Sequence, residues 1–212
     1  MASVPSTSLS SLEHRFLFVV AAWASFATMA VEVLFARIAA SYFGSGIAVW
    51  GSIITVLLLA MAVGCLWGGR LSQKPRPHSA VLYRLVLGLS LSMLPLVLLA
   101  PVALAEISYW LPDSRYGSLL GAALLLSAPG VLAGVLAPYI TRLIVTRVEE
   151  AGSRVGQLSA VTTLGSAAGT IVPSYYLVLW LEINTILLVT ATVTAMLAII
   201  GLLMQPPPAT QP

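Results

Sequence analysis

Six apolar runs, each long enough to cross a bilayer, constrain this chain more than any motif. They fall near residues 16–37, 47–69, 81–105, 117–142, 155–181 and 183–204. A membrane helix needs about 20 apolar residues, and each run meets that length. Composition points the same way: 59% of the 212 residues are hydrophobic and only 8% are charged. A soluble domain carries about 25% charged residues. A soluble core of this size could not bury so much apolar surface, so lipid must cover it. The predicted fold class is all-α: a polytopic transmembrane bundle of about six spans.

Residues 1–15 are Ser- and Pro-rich at their start and are expected to be disordered. The membrane domain is expected over 16–204. The tail "QPPPATQP" (205–212) cannot continue a helix, because proline lacks the amide proton and clashes with the preceding turn. The first run is too long for the short core of a cleaved signal peptide.

Lys and Arg set the orientation. Arg15, Arg70, Lys74, Arg76, Arg84, Arg142, Arg147 and Arg154 fall on one side of a six-span arrangement, and only Arg37 and Arg115 on the other. Both termini are therefore expected in the cytoplasm. The far side carries Glu106, Asp113 and Glu182 instead. The net charge of +3 gives no reason to expect a nucleic-acid partner. The lone cysteine, Cys65, rules out an intramolecular disulfide and is expected as a small packing residue.

"GCLWG" (64–68), "GVLAG" (130–134) and "GSAAG" (165–169) each place two glycines four apart, on one helix face, where they let backbones approach closely. Gly64, Gly68, Gly130, Gly134, Gly165 and Gly169 are the candidate packing residues, and spans 2, 4 and 5 are expected inside the bundle. Pro95 and Pro101 in span 3, Pro129 and Pro138 in span 4, and Pro173 in span 5 predict kinks or local breaks. Such breaks can open backbone carbonyls to a cavity or simply shape packing.

Glu32 is the residue hardest to explain by packing alone. A buried acid in a membrane helix faces a partner or water and is costly otherwise. Arg37 stands five residues on, about 140° around a regular helix, whereas good intrahelical pairs are three or four apart. Arg37 can instead reach the headgroups as an interfacial anchor. Glu32 then either fixes packing through a hydrogen bond or serves a ligand. Glu106 and Glu182, near outer helix ends, either line an outer vestibule with Glu32 or are simply solvated. "YFGSG" (42–46) reads as a tight connection. Trp50, Tyr109, Trp110 and Trp180 suit an aromatic interface belt.

No catalytic signature is present: no H-E-x-x-H, no G-x-S-x-G, no P-loop and no metal-ligand cluster. Neither His14 nor His78 has a ligand partner at suitable spacing in a span. No cofactor, no metal and no enzymatic activity are expected.

Four segments occur in order: "EVLFARIAASYFGSGIAVWGSI" (32–53), "GCLWGGRLSQKPRP" (64–77), "PGVLAGVLAPYITRL" (129–143) and "VGQLSAVTTLGSAAGTIVPSYYLVLWLEINTILL" (155–188). Together they resemble the membrane region of bacterial fused major-facilitator-like/spermidine synthase proteins. The resemblance implies half of a major-facilitator bundle in a bacterial inner membrane and leaves the role of that module open; a small cationic, polyamine-like solute or a proton is the expected cargo where Glu32 faces a cavity. Glu32, Arg37, Glu106 and Glu182 are its candidate binding residues. Six spans would need a homodimer or a second membrane chain to enclose a path. Members of that family commonly continue into an aminopropyltransferase-like domain, whose Gly-rich turn this chain lacks, so no synthase activity carries over. The alternative is a non-transporting scaffold for a soluble, synthase-like partner, docking at the basic turns 70–78 and 142–154.

The charge pattern yields a topology test. In a Cys65→Ser background, Lys74→Cys should react with a membrane-impermeant maleimide only after permeabilisation, and Asp113→Cys in intact cells. Labelling of both from the same side would refute the six-span orientation.

Overall fold

The computed structural model describes residues 11–73, 78–145 and 147–205. The expected disordered ends therefore lie outside the described residues over 1–10 and 206–212, while residues 12–15 belong to a helix. The architecture is all-helical. In chain order the elements are α1 (Ser11–Phe43), α2 (Ile47–Ser72), α3 (Ser79–Leu98), α4 (Ala100–Trp110) and α5 (Ser114–Ile144). They are followed by α6 (Ala151–Ile171), a π-helical turn (Val172–Leu177), α7 (Val178–Trp180) and α8 (Ile183–Leu203). Among the described residues six helical stretches are long and apolar enough to cross a membrane: Leu12–Phe43, Ile47–Ser72, Ser79–Leu98, Ser114–Ile144, Ala151–Trp180 and Ile183–Leu203. By length and composition the chain is a multi-pass membrane protein.

The first span is longer than the apolar run suggests. Nothing in "ARIAASYF" breaks a helix, so α1 continues past Arg37 to Phe43. Gly44 stops it with φ +80, a left-handed conformation that only glycine adopts cheaply. Its amide closes the last turn on the Ala40 carbonyl at 3.0 Å. The helix therefore stays regular between Glu32 and Arg37, holding them on different faces.

Prolines act unequally. Pro101 cannot donate to the carbonyl four residues back, and the third run breaks at Leu99 (φ −111, ψ −20), so α3 and α4 replace the single expected span 81–105. Pro173 sits in the π-helical turn that interrupts the fifth span. Of the kink or break expected in span 4, no break occurs: α5 runs as one helix through Pro129 and Pro138, where packed neighbours support the weakened ladder.

The glycines decide which helices meet. Gly64 and Gly68 of α2 face Gly130 and Gly134 of α5. A Cβ on Gly64 would strike the Val131 carbonyl, and one on Gly134 the Met61 carbonyl. On the other side of the bundle a Cβ on Gly165 or Gly169 would strike the Ala22 or Phe26 carbonyl of α1. Spans 2 and 5 are nonetheless rim helices, contrary to their expected interior position. Half of the most apolar window is buried in α1 and α5, a third in α2, and only 17% in the fifth span. A two-glycine face makes one close contact; it does not enclose a helix on all sides. Cys65, next to the glycine face of α2, is exposed rather than packed.

Polar bonds tie α8 to both α3 and α1. Ser90 Oγ of α3 donates to the Ala191 carbonyl of α8 at 2.7 Å. Trp23 Nε1 of α1 donates to Thr194 Oγ1 of α8 at 2.9 Å. A missing partner inside the bilayer core would leave these groups unsatisfied.

The glycine crossings give a stability prediction. Gly134→Val should destabilise the protein by roughly 1–3 kcal/mol through overpacking. Gly69→Ala, with nothing within 4 Å of an added Cβ, should stay within about 0.5 kcal/mol of wild type. Thermal unfolding in detergent distinguishes them, and equal melting of the two variants would remove the crossing as a stabilising contact.

Candidate functional site

Two clamped pairs, α2 on α5 and α6 on α1, leave a gap between them. The α6 helix meets the bundle through α1 and touches α5 only lightly. The gap is a cleft of about 280 Å³ with α1 as its floor. Ala21, Ala24, Ser25, Thr28 and Met29 come from α1, Met61 from α2, and Ala133, Leu136, Ala137 and Ile140 from α5. The α6 wall supplies Leu158, Thr162, Thr163 and Ser166.

Five hydroxyls reach this otherwise apolar space, in two states. Thr28 donates to the Ala24 carbonyl at 2.8 Å, and Thr162 to the Leu158 and Ser159 carbonyls at 3.0 Å. Their hydrogens are spent on their own helices, leaving oxygen lone pairs toward the cleft. Ser25, Thr163 and Ser166 have no hydrogen-bond partner among the described residues and are free to donate and accept. The cleft lining contains no charged side chain.

Glu32 lies outside that lining but in line with it. The cleft residues of α1 recur at 21, 24, 25, 28 and 29. At about 100° per residue, Glu32 falls near the centre of the arc they define. It stands one turn beyond Thr28, about 6 Å further along the axis. It is half-buried and forms no hydrogen bond or ion pair among the described residues. The ion pair with Arg37 that the spacing argued against is absent.

The other three candidate residues separate. Arg37 and Glu182 come together, lining one groove of about 400 Å³ with Ile38, Ser41, Tyr42, Pro101, Ile183 and Asn184. Both are exposed. Glu106 is exposed on α4 and lines neither the cleft nor this groove. The groove that Arg37 and Glu182 share is lined by neither Glu32 nor Glu106.

On the opposite, basic face a third groove of about 480 Å³ lies between the ends of α2 and α5 and the start of α6. Arg142 and Arg147 line it beside Val145, Val148 and Val155. Next to it Arg154 contacts His14 Nε2 at 2.9 Å and Glu150 at 3.4 Å, joining the ends of α1 and α6. Lys74 and Arg76 of the other basic turn lie outside the described residues. Trp50, Tyr109, Trp110 and Trp180 are all exposed. No group of three His, Cys, Asp or Glu side chains is placed to hold a metal among the described residues.

Reasoning on charged residues missed the hydroxyls. Their signal was present: Ser25 and Thr28 on span 1, and Ser159, Thr162, Ser166 and Thr170 at helical spacing on span 5, the least apolar of the six. No protein-family model, curated protein or solved structure matches this chain.

Proposed function

We propose that this chain is a transporter-like membrane module that handles a small cationic, polyamine-like solute or a proton in the cleft between α1, α2, α5 and α6. The observation that carries this reading is the α1 stripe: Ser25, Thr28 and the unpartnered Glu32 on one face, opposite the free hydroxyls of Thr163 and Ser166. An ammonium group donates hydrogen bonds and accepts none. The oxygens of Thr28 and Thr162 suit it, the alkyl chain of such a solute suits Met29 and Met61, and Glu32 supplies the countercharge. The resemblance to the membrane region of fused major-facilitator-like/spermidine synthase proteins supports the solute class. It also supports placement in a bacterial inner membrane, and the distribution of Lys and Arg supports both termini in the cytoplasm. The cleft is open at one side, so a second copy or another membrane chain would complete the path.

Proteoliposomes loaded through the purified chain test the reading. Wild type should take up radiolabelled polyamine or carry a proton flux. Glu32→Gln, which removes a charge-assisted interaction of ~1.5–3 kcal/mol, should cut uptake at least about tenfold. Thr163→Val/Ser166→Val should weaken apparent affinity by a smaller factor. Equal flux in wild type and Glu32→Gln would end the proposed role of the acid.

A second reading has its own observation, the groove at Arg142 and Arg147 with Val148 86% exposed beside them. Basic and apolar groups at one mouth suit an acidic soluble partner, making the bundle a scaffold. Affinity purification in mild detergent should then recover a partner that Arg142→Gln/Arg147→Gln loses. Recovery of the bare chain in both cases would reject the scaffold.

A further inference from the structure

We propose that the groove holding Arg37 and Glu182 is a head-group site for a zwitterion that carries an anionic phosphate and a primary ammonium, as an ethanolamine phospholipid does. The site is separate from the cleft and does not depend on the transport reading.

Depth is the first argument. The α8 helix has 21 residues, about 31 Å at 1.5 Å per residue, which matches a hydrocarbon core of about 30 Å. Glu182, its N-cap, therefore stands at head-group level, with no side-chain cap bond to occupy its carboxylate. Arg37 lines the same groove, so it shares that level.

Charge is the second. Two opposite charges border one groove, yet neither forms an ion pair among the described residues. A guanidinium offers a planar fork of donors that matches phosphate oxygens, and a carboxylate accepts from an ammonium. A purely anionic or purely cationic ligand would satisfy one and repel the other. Ser41, Tyr42 and Asn184 line the same wall and supply neutral donors and acceptors between the two charges.

The third argument is the surface beneath. Pro101 lines the groove at the α3–α4 break, and Leu98, Leu99 and Val102 around it are exposed. An acyl chain hanging from a head group in the groove would lie along these side chains.

Native mass spectrometry of the intact chain tests this, using micelles doped with equal phosphatidylethanolamine and phosphatidylglycerol. Wild type should retain phosphatidylethanolamine about tenfold over phosphatidylglycerol. Arg37→Gln should lower retention of both lipids about tenfold. Glu182→Gln should abolish the preference while leaving phosphatidylglycerol retained. Addition of soluble phosphoethanolamine separates the sources: no displacement at millimolar concentration assigns the site to lipid, and displacement assigns it to a free zwitterion of the same chemistry. The wild-type preference needs no variant, so misfolding cannot mask the result. Equal retention of the two lipids by wild type, or a preference unchanged in both variants, would overturn the proposal.

Discussion

Close backbone contact at glycine is the interaction on which this fold depends. Lipid tails are as apolar as leucine, so burying a leucine between helices gains little over leaving it in lipid. Helices must instead be held by van der Waals contact and by hydrogen bonds. The crossing of Gly64 and Gly68 with Gly130 and Gly134, and that of Gly165 and Gly169 with Ala22 and Phe26, supply the first. Trp23 on Thr194 and Ser90 on Ala191 supply the second.

These contacts also explain the cleft. Each glycine crossing secures one rim helix to one central helix, α2 to α5 and α6 to α1. Nothing comparable secures α6 to α2 or α5. A gap between two tightly clamped pairs is the geometric result, and α1 lies across its floor. Three hydroxyls of α6, those of Thr162, Thr163 and Ser166, line the wall of that gap. An unpartnered hydroxyl facing hydrocarbon has no compensation; one facing a cleft can meet water or solute.

The number of spans and their helical type were legible because apolar length is an unambiguous signal, and the glycine spacing named the surfaces that touch. Of the three spans expected inside, span 4 is central, and spans 2 and 5 are not. In a soluble protein the buried face is the apolar face. Here Leu58 and Leu59 face outward while Leu57 is buried, and no chemical difference separates them. The end of α1 was misplaced for a related reason: Arg37 marks where the apolar run stops, whereas the backbone stops being helical at Gly44. Charge alone also joined Glu106 and Glu182 to Glu32; Glu182 instead lines a groove with Arg37, and neither of the other two acids lines it.

Glu32 shows how far spacing and packing together can go. Five residues separate it from Arg37, and a helix regular to Phe43 keeps the pair apart. The same regularity sets it in register with Ala21, Ser25 and Thr28, which line the cleft. The acid itself stands one turn beyond that lining, half-buried and without a hydrogen bond or ion pair among the described residues. A carboxylate held at that depth needs water, a proton or a cation to offset the cost of its burial. Arg37, on another face of the same regular helix, lines the groove with Glu182 instead. The two charges that look like one interrupted ion pair in the sequence thus stand apart, separated by little more than a turn of one helix.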